Sequence, residues 1–123
     1  MMKRTLLAAL AAVLAMAAQP AAFAHAFLDN ATPKVGSVVT VPPKTIRIQF
    51  TKPIEAAFSH IQLIAPDGTT VATGPAATDP TDATQLIAPI TGTLSPGQYQ
   101  VRWDIVAVDT HRTNGHFPFT YRP

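Results

Sequence analysis

An all-β fold, a seven-stranded immunoglobulin-like (Greek-key) β-sandwich, is what three features of the sequence predict. The stretch TIRIQFT, residues 45 to 51, alternates Ile46, Ile48 and Phe50 with Thr45, Arg47 and Gln49, the period of a strand with one buried face. QYQVRWDIV, residues 98 to 106, repeats that period with Tyr99, Val101, Trp103 and Ile105 on one side. Clusters of Pro, Gly and Asp separate such runs at short intervals, and no segment after residue 25 keeps a helical period.

The elements follow in order. Ala26 to Ala31 is the first strand and Thr45 to Thr51 the second. Phe58 to Ala65 (FSHIQLIA) is the third, closed by the turn residues Pro66-Asp67-Gly68. Thr69 to Thr73 and Thr84 to Ala88 are the fourth and fifth, with residues 73 to 83, rich in Pro, Ala, Thr and Asp, as one long loop between them. Gln98 to Val106 and Gly115 to Tyr121 complete the set. Tyr99 follows Leu94-Ser95-Pro96-Gly97 in the manner of the tyrosine corner at the start of a sandwich's sixth strand. Trp103, Phe50, Phe58, Phe117, Phe119 and Tyr121 are expected in the core, and a small barrel is the alternative closure.

Residues 1 to 24 are a different kind of segment. A positive start (Lys3, Arg4), an apolar run from Thr5 to Ala18 and the small-x-small tripeptide Ala22-Phe23-Ala24 predict a signal peptide cleaved after Ala24. A membrane anchor is the competing reading, but the run stops at Gln19-Pro20, short of the roughly 20 residues that span a bilayer. The expected domain is therefore residues 25 to 123, exported to an oxidising compartment, with His25 as its first residue and no insertion into the membrane.

Removing the leader changes the chemistry available. Three Lys and four Arg then balance six Asp and one Glu, so no basic surface remains for nucleic acid or anionic lipid. All three Met lie before residue 25 and the chain has no Cys. Neither a disulfide nor a soft sulfur ligand is available to the domain.

In a sandwich whose strands alternate in direction, the start of the first strand shares an end with the loops after the second and sixth. His25 is thereby expected beside Lys52-Pro53-Ile54-Glu55 and Asp109-Thr110-His111. Asp109 and His111 stand two apart, which in extended backbone puts both side chains on one side with α-carbons roughly 6.5 Å apart. A first-residue His adds an α-amine to its imidazole, and the three residues together offer three nitrogens and one oxygen. That set suits tetragonal Cu(II), and a tetrahedral Zn(II) could use it as well. His60 alternates with Ile61 and Leu63 and is expected at the surface; His116 lies on the last strand, as a structural residue or a supporting group behind the ligands.

His25-Ala26-Phe27-Leu28, Thr32-Pro33 and Gly36, then Pro96-Gly97-Gln98-Tyr99-Gln100-Val101-Arg102-Trp103, Val106, Asp109-Thr110-His111 and Gly115 to Phe119, resemble the CopC family of periplasmic copper-resistance proteins over the whole mature chain. The resemblance implies a sandwich that binds Cu(II) through His25, Asp109 and His111, as a monomer that is not an enzyme and whose partner is copper and an inner-membrane copper transporter of the CopD type. Two departures stand out. The Met-rich Cu(I) site of some members has no counterpart, and Lys52 stands where many members carry Glu, leaving Glu55 as a replacement carboxylate or Lys52 as an ion-pair partner of Asp109. Two other classes remain: a copper monooxygenase-like redox enzyme, for whose substrate face the chain is short, and a metal-free Ig-like interaction module in which Asp109-Thr110-His111 is only a turn.

Overall fold

Alternation decides which side chains meet in the interior. In the computed structural model, which describes residues 26–123, Ile46, Ile48 and Phe50 turn inward from one sheet while Tyr99, Val101, Trp103 and Ile105 turn inward from another. Nine strands are formed among these residues: β1 (Leu28–Thr32), β2 (Val38–Val39), β3 (Thr45–Phe50), β4 (His60–Ile64), β5 (Thr70–Val71), β6 (Ala77–Asp79), β7 (Asp82–Pro89), β8 (Gly97–Val106) and β9 (Arg112–Tyr121). A 3-10 turn at Ala56–Phe58 precedes β4. The leader expected over residues 1 to 24 and the candidate ligand His25 lie outside the described residues.

The strands form two sheets, ordered β1-β3-β7-β6 and β2-β9-β8-β4-β5. All pairings are antiparallel except β2, which runs parallel to β9 through Val38 opposite Thr120 and Val39 opposite Tyr121. The chain changes sheet between β1 and β2, β2 and β3, β3 and β4, β5 and β6, and β7 and β8, crossing between the two layers as a Greek-key sandwich does. The expected all-β sandwich is what forms, and no helix among the described residues is long and apolar enough to cross a membrane.

All seven expected strands are present, and the differences have local causes. β2 has only two residues in a Pro-rich stretch, too short to show a period. The segment expected as one loop over residues 73 to 83 contains β6, which turns at Asp79–Asp82 and pairs back onto β7. Its Thr78 and Asp79 carry no apolar alternation; the Arg47 guanidinium bonded to Asp79 at 2.8 Å holds the hairpin against β3 instead. The third strand begins at His60 rather than Phe58, because Glu55 to Ser59 closes a 3-10 turn. Phe58, expected in the core, is therefore 61% exposed.

The core is the interleaved inner faces. Tyr99, Phe50, Phe119, Ile46, Ile48 and Leu63 are its largest fully buried side chains. Tyr99 stacks on Phe119 across β8 and β9, with ring centroids 5.4 Å apart, and its hydroxyl donates to the Ser95 carbonyl at 2.6 Å, the expected tyrosine corner. Between the sheets, Phe50 meets the Trp103 ring edge-on, with centroids 5.2 Å apart.

Trp103 fits because β9 presents a glycine to it. Gly115 lies directly opposite Trp103 in the ladder, and a β-carbon there would sit 2.4 Å from the indole Cζ2. A rigid ring packed on Phe50 cannot swing aside without opening the interface between the sheets. Gly115→Ala is expected to lower stability by about 2 kcal/mol, as overpacked core positions do. Urea denaturation followed by Trp fluorescence measures this, and an unchanged midpoint would contradict the packing described.

Candidate metal centre

Asp109 and His111 are brought together by a strained turn at the β8–β9 junction. Thr110 N–H donates to the Ala107 carbonyl at 2.8 Å and Ala107 N–H to the His111 carbonyl at 3.0 Å, closing the connection between the strands. Thr110 carries φ = +76°, a left-handed conformation that β-branched residues disfavour. The extended backbone expected for Asp109 to His111 is therefore corrected: a tight turn forms. Within it Asp109 Oδ1 accepts the His111 N–H at 3.2 Å and lies 3.4 Å from His111 Nδ1.

A seam of backbone bonds stitches this turn to the segment after β3. Val108 N–H donates to the Pro53 carbonyl at 3.0 Å, Glu55 N–H to the Val106 carbonyl at 2.8 Å, and Ile54 bridges to Ala107. Ser59, the buried polar side chain of the core, locks the same corner: its hydroxyl donates to the Glu55 carbonyl at 2.7 Å and accepts the Val106 N–H at 3.0 Å. These bonds fix Lys52 beside Asp109. Lys52 Nζ lies 2.7 Å from Asp109 Oδ2, and both side chains are about one-third exposed.

The start of β1 is tied to both sides of that corner. Phe27 N–H donates to Thr51 Oγ1 at 3.0 Å, its carbonyl accepts the Thr51 N–H at 2.9 Å, and Thr113 Oγ1 donates to the Ala26 carbonyl at 2.9 Å. Ala26 is buried. Thr51 and Thr113 were not singled out from sequence, since a Thr in a strand carries no signal of its own; only the structure reveals that they hold Phe27 and Ala26.

The charges follow from this geometry. The Lys52 ammonium beside Asp109, reinforced by the His111 backbone N–H, holds the Asp109 carboxyl down at about 2, below its ordinary 3.8. Asp79 is held at about 2 in the same way, by Arg47 first and then by Thr81. Three or more His, Asp or Glu do not converge as a metal-holding group among the described residues, which include only two of the three candidate ligands.

The remaining candidates lie elsewhere. Glu55 contributes its backbone to the seam, and its exposed carboxylate makes no ion pair or hydrogen bond among the described residues. His116 is four residues along β9 from Arg112, on the outer face of the five-stranded sheet opposite Arg102. His60 is exposed on that same outer face, as expected. Trp103, Phe117 and Phe119 are core residues, while Tyr121 is half-buried.

This end of the molecule defines a class: a Greek-key sandwich that presents Asp-x-His from a strained junction next to the start of its first strand. Residues 28–122 match the CopC domain family, and the chain belongs to that family. It is 35% identical over 119 residues to Protein YobA of Escherichia coli K12, covering 97% of this chain and 96% of that one. It is 26% identical over 98 residues to Copper transport protein CutJ of Bacillus subtilis, spanning 80% of this chain but 18% of that protein. Among solved structures, CopC from Methylosinus trichosporium OB3b superposes with a TM-score of 0.75 at 27% identity, covering 80% of this chain and 95% of the other. PcoC, a methionine-rich copper resistance protein from Escherichia coli, gives 0.70 at 27% identity, over 80% of this chain and all of the other.

The two lowered carboxyls set an acid limit. In the folded chain Asp109 and Asp79 titrate near 2, whereas unfolded Asp titrates near 3.8, so the folded state binds fewer protons between those values. Their contribution to stability is complete above about pH 4 and is lost as pH falls towards 2. Carboxyl-carbon NMR is expected to find both titrating near 2, with Lys52→Met raising Asp109 and leaving Asp79 in place.

Proposed function

We propose that the protein is a periplasmic copper(II) binder that buffers copper or carries it to an inner-membrane transporter of the CopD type, and is not an enzyme. Cleavage after Ala24 makes His25 the first residue of a domain spanning residues 25–123. Its amine and imidazole, Asp109 and His111 hold the ion. The observation that carries this reading is the pairing of Asp109 Oδ1 and His111 Nδ1, 3.4 Å apart, with a carbonyl bond from Thr113 to Ala26. Two ligand atoms each about 2.0–2.2 Å from one ion lie roughly 3 Å apart when adjacent in its coordination shell, so the turn is close to a chelating geometry. Consecutive α-carbons are 3.8 Å apart, and tethering Ala26 to Thr113 therefore keeps any residue before it near His111. Membership in the CopC family, and the copper resistance and copper transport named for its relatives, support copper as the ion.

Lys52 has a definite part in this reading. The ammonium holds Asp109 Oδ2 while Oδ1 faces His111, so copper enters beside a fixed positive charge. A unit charge at contact distance in water is worth about 1 kcal/mol, and Lys52→Met is expected to tighten copper binding by about fivefold. Competition titration against a chelator of known affinity measures it.

The decisive test is a Cu(II) titration of the processed protein against a form with one extra residue before His25. The processed form is expected to bind tightly and to melt higher when loaded, by an amount equivalent to about 4 kcal/mol when copper is a thousandfold above its dissociation constant. The extended form loses the amine and binds far more weakly; equal binding by the two sinks the ligand set. An amine with a free value of 7.7–8.0 and two imidazoles near 6.5 must shed protons to coordinate. Affinity is accordingly expected to fall at least about a hundredfold from pH 7 to pH 5, and a flat profile over that interval contradicts these donors.

A further inference from the structure

We infer that the outer face of the five-stranded sheet carries a second site, independent of the metal centre, that binds a small polycarboxylate anion. The twisted surface across β4, β8 and β9 forms a concavity of about 370 Å³, lined by Trp103, Gly115 and six polar residues, His60, Gln62, Arg102, Asp104, Asn114 and His116. Register sets these side chains in two rows: His60, Asp104 and Asn114 in one, Gln62, Arg102 and His116 in the next. All six lie on the solvent side, because their neighbours Ile61, Leu63, Val101, Trp103, Ile105 and Phe117 take the core side.

Five of the six supply N–H donors. A guanidinium carries five, each side-chain amide two, and an imidazole at least one in any protonation state. The exception, Asp104, is already engaged: Arg112 Nη1 donates to its Oδ1 at 2.7 Å. Arg102 has no such partner and forms no ion pair among the described residues, whereas Arg47 and Arg112 are held by Asp79 and Asp104. The concavity is thus lined by more side-chain donors than acceptors and holds a guanidinium with no carboxylate partner among the described residues.

That balance selects an anion over a cation. Arg102 lies directly opposite His116 and diagonal to His60, which faces Asp104, and no metal-holding group of three His, Asp or Glu occurs among the described residues. The ligand must also span the site. Small-molecule sites run from about 300 Å³ upward, so a single acetate or phosphate leaves most of this space unfilled. A carboxylate can pair with the planar Arg102 fork through two oxygens, and a second or third carboxylate on the same molecule reaches His60, Asn114 or His116 one row or one strand away.

The test uses citrate and the purified protein, stripped of metal with a chelator that is then removed. Calorimetry is expected to give saturable binding at millimolar or lower citrate, with the NMR signals of the His60 and His116 rings moving and that of His111 staying in place. Arg102→Gln, a change at an exposed position, is expected to keep its melting temperature and lose at least about tenfold in citrate affinity. Equal citrate binding by Arg102→Gln, no saturation at millimolar citrate, or a shift confined to His111 overturns the proposal. So does inorganic phosphate binding as tightly as citrate. A hexaglutamate peptide that binds more tightly than citrate overturns the small-molecule assignment in favour of an acidic partner segment. Zinc chloride moving both His60 and His116 without citrate replaces the anion site with a metal site.

Discussion

The indole of Trp103 ties the two sheets together below the end of the molecule that carries Asp109 and His111. It lies on Gly115 of the neighbouring strand and meets Phe50 of the facing sheet edge-on, so one ring joins three strands in two sheets. Aromatic pairs of this geometry contribute about 0.5–1.5 kcal/mol beyond the area they bury, and the chain has no disulfide to share the task. Phe50 is followed at once by Thr51 and Lys52, and Gly115 stands three residues after Arg112. The packing that stabilises the fold thereby sets the separation between the two segments that build the candidate centre.

From this contact the polar architecture follows. Once the sheets are held at this distance, the backbone groups of Pro53, Glu55, Val106 and Val108 pair with one another, and the Ser59 hydroxyl links the Glu55 carbonyl to the Val106 N–H. A rigid corner can hold strain. Thr110 stays in a left-handed conformation because the turn's hydrogen bonds and the strands on either side leave it no alternative, and that conformation points Asp109 and His111 at each other. A wider loop would carry the same two residues without presenting them together.

The face that carries His60 and His116 illustrates a different consequence of the same sandwich. Its inner residues are fully committed to the core, so its outer residues answer only to solvent and to each other. There Arg112 takes Asp104 and leaves Arg102 uncompensated. The charge pattern on this face is thus set two residues at a time by β8 and β9, separately from the chemistry at the end of the sandwich.

Most of the architecture was legible in the residues, because strand alternation and turn chemistry are local. TIRIQFT and QYQVRWDIV specify buried faces by period alone, and Tyr99 found its partner four residues away at Ser95. The sandwich, its core aromatics and the meeting of β1 with the loops after β3 and β8 needed no more than this. What sequence could not carry was anything set by pairing between distant strands. The β6 hairpin depends on Arg47 and the exposure of Phe58 on a 3-10 turn closed by Ser59, while the Lys52–Asp109 pair, one of two alternatives the residues offered, was decided by a seam across 57 residues of chain. Asp109 and His111 were visible as a motif, but their approach through a left-handed Thr110 was not, since φ at a single residue is decided by the strands that clamp it. His60, Arg102 and His116 show the same limit: period two says each faces outward, and only the register of three strands makes them neighbours.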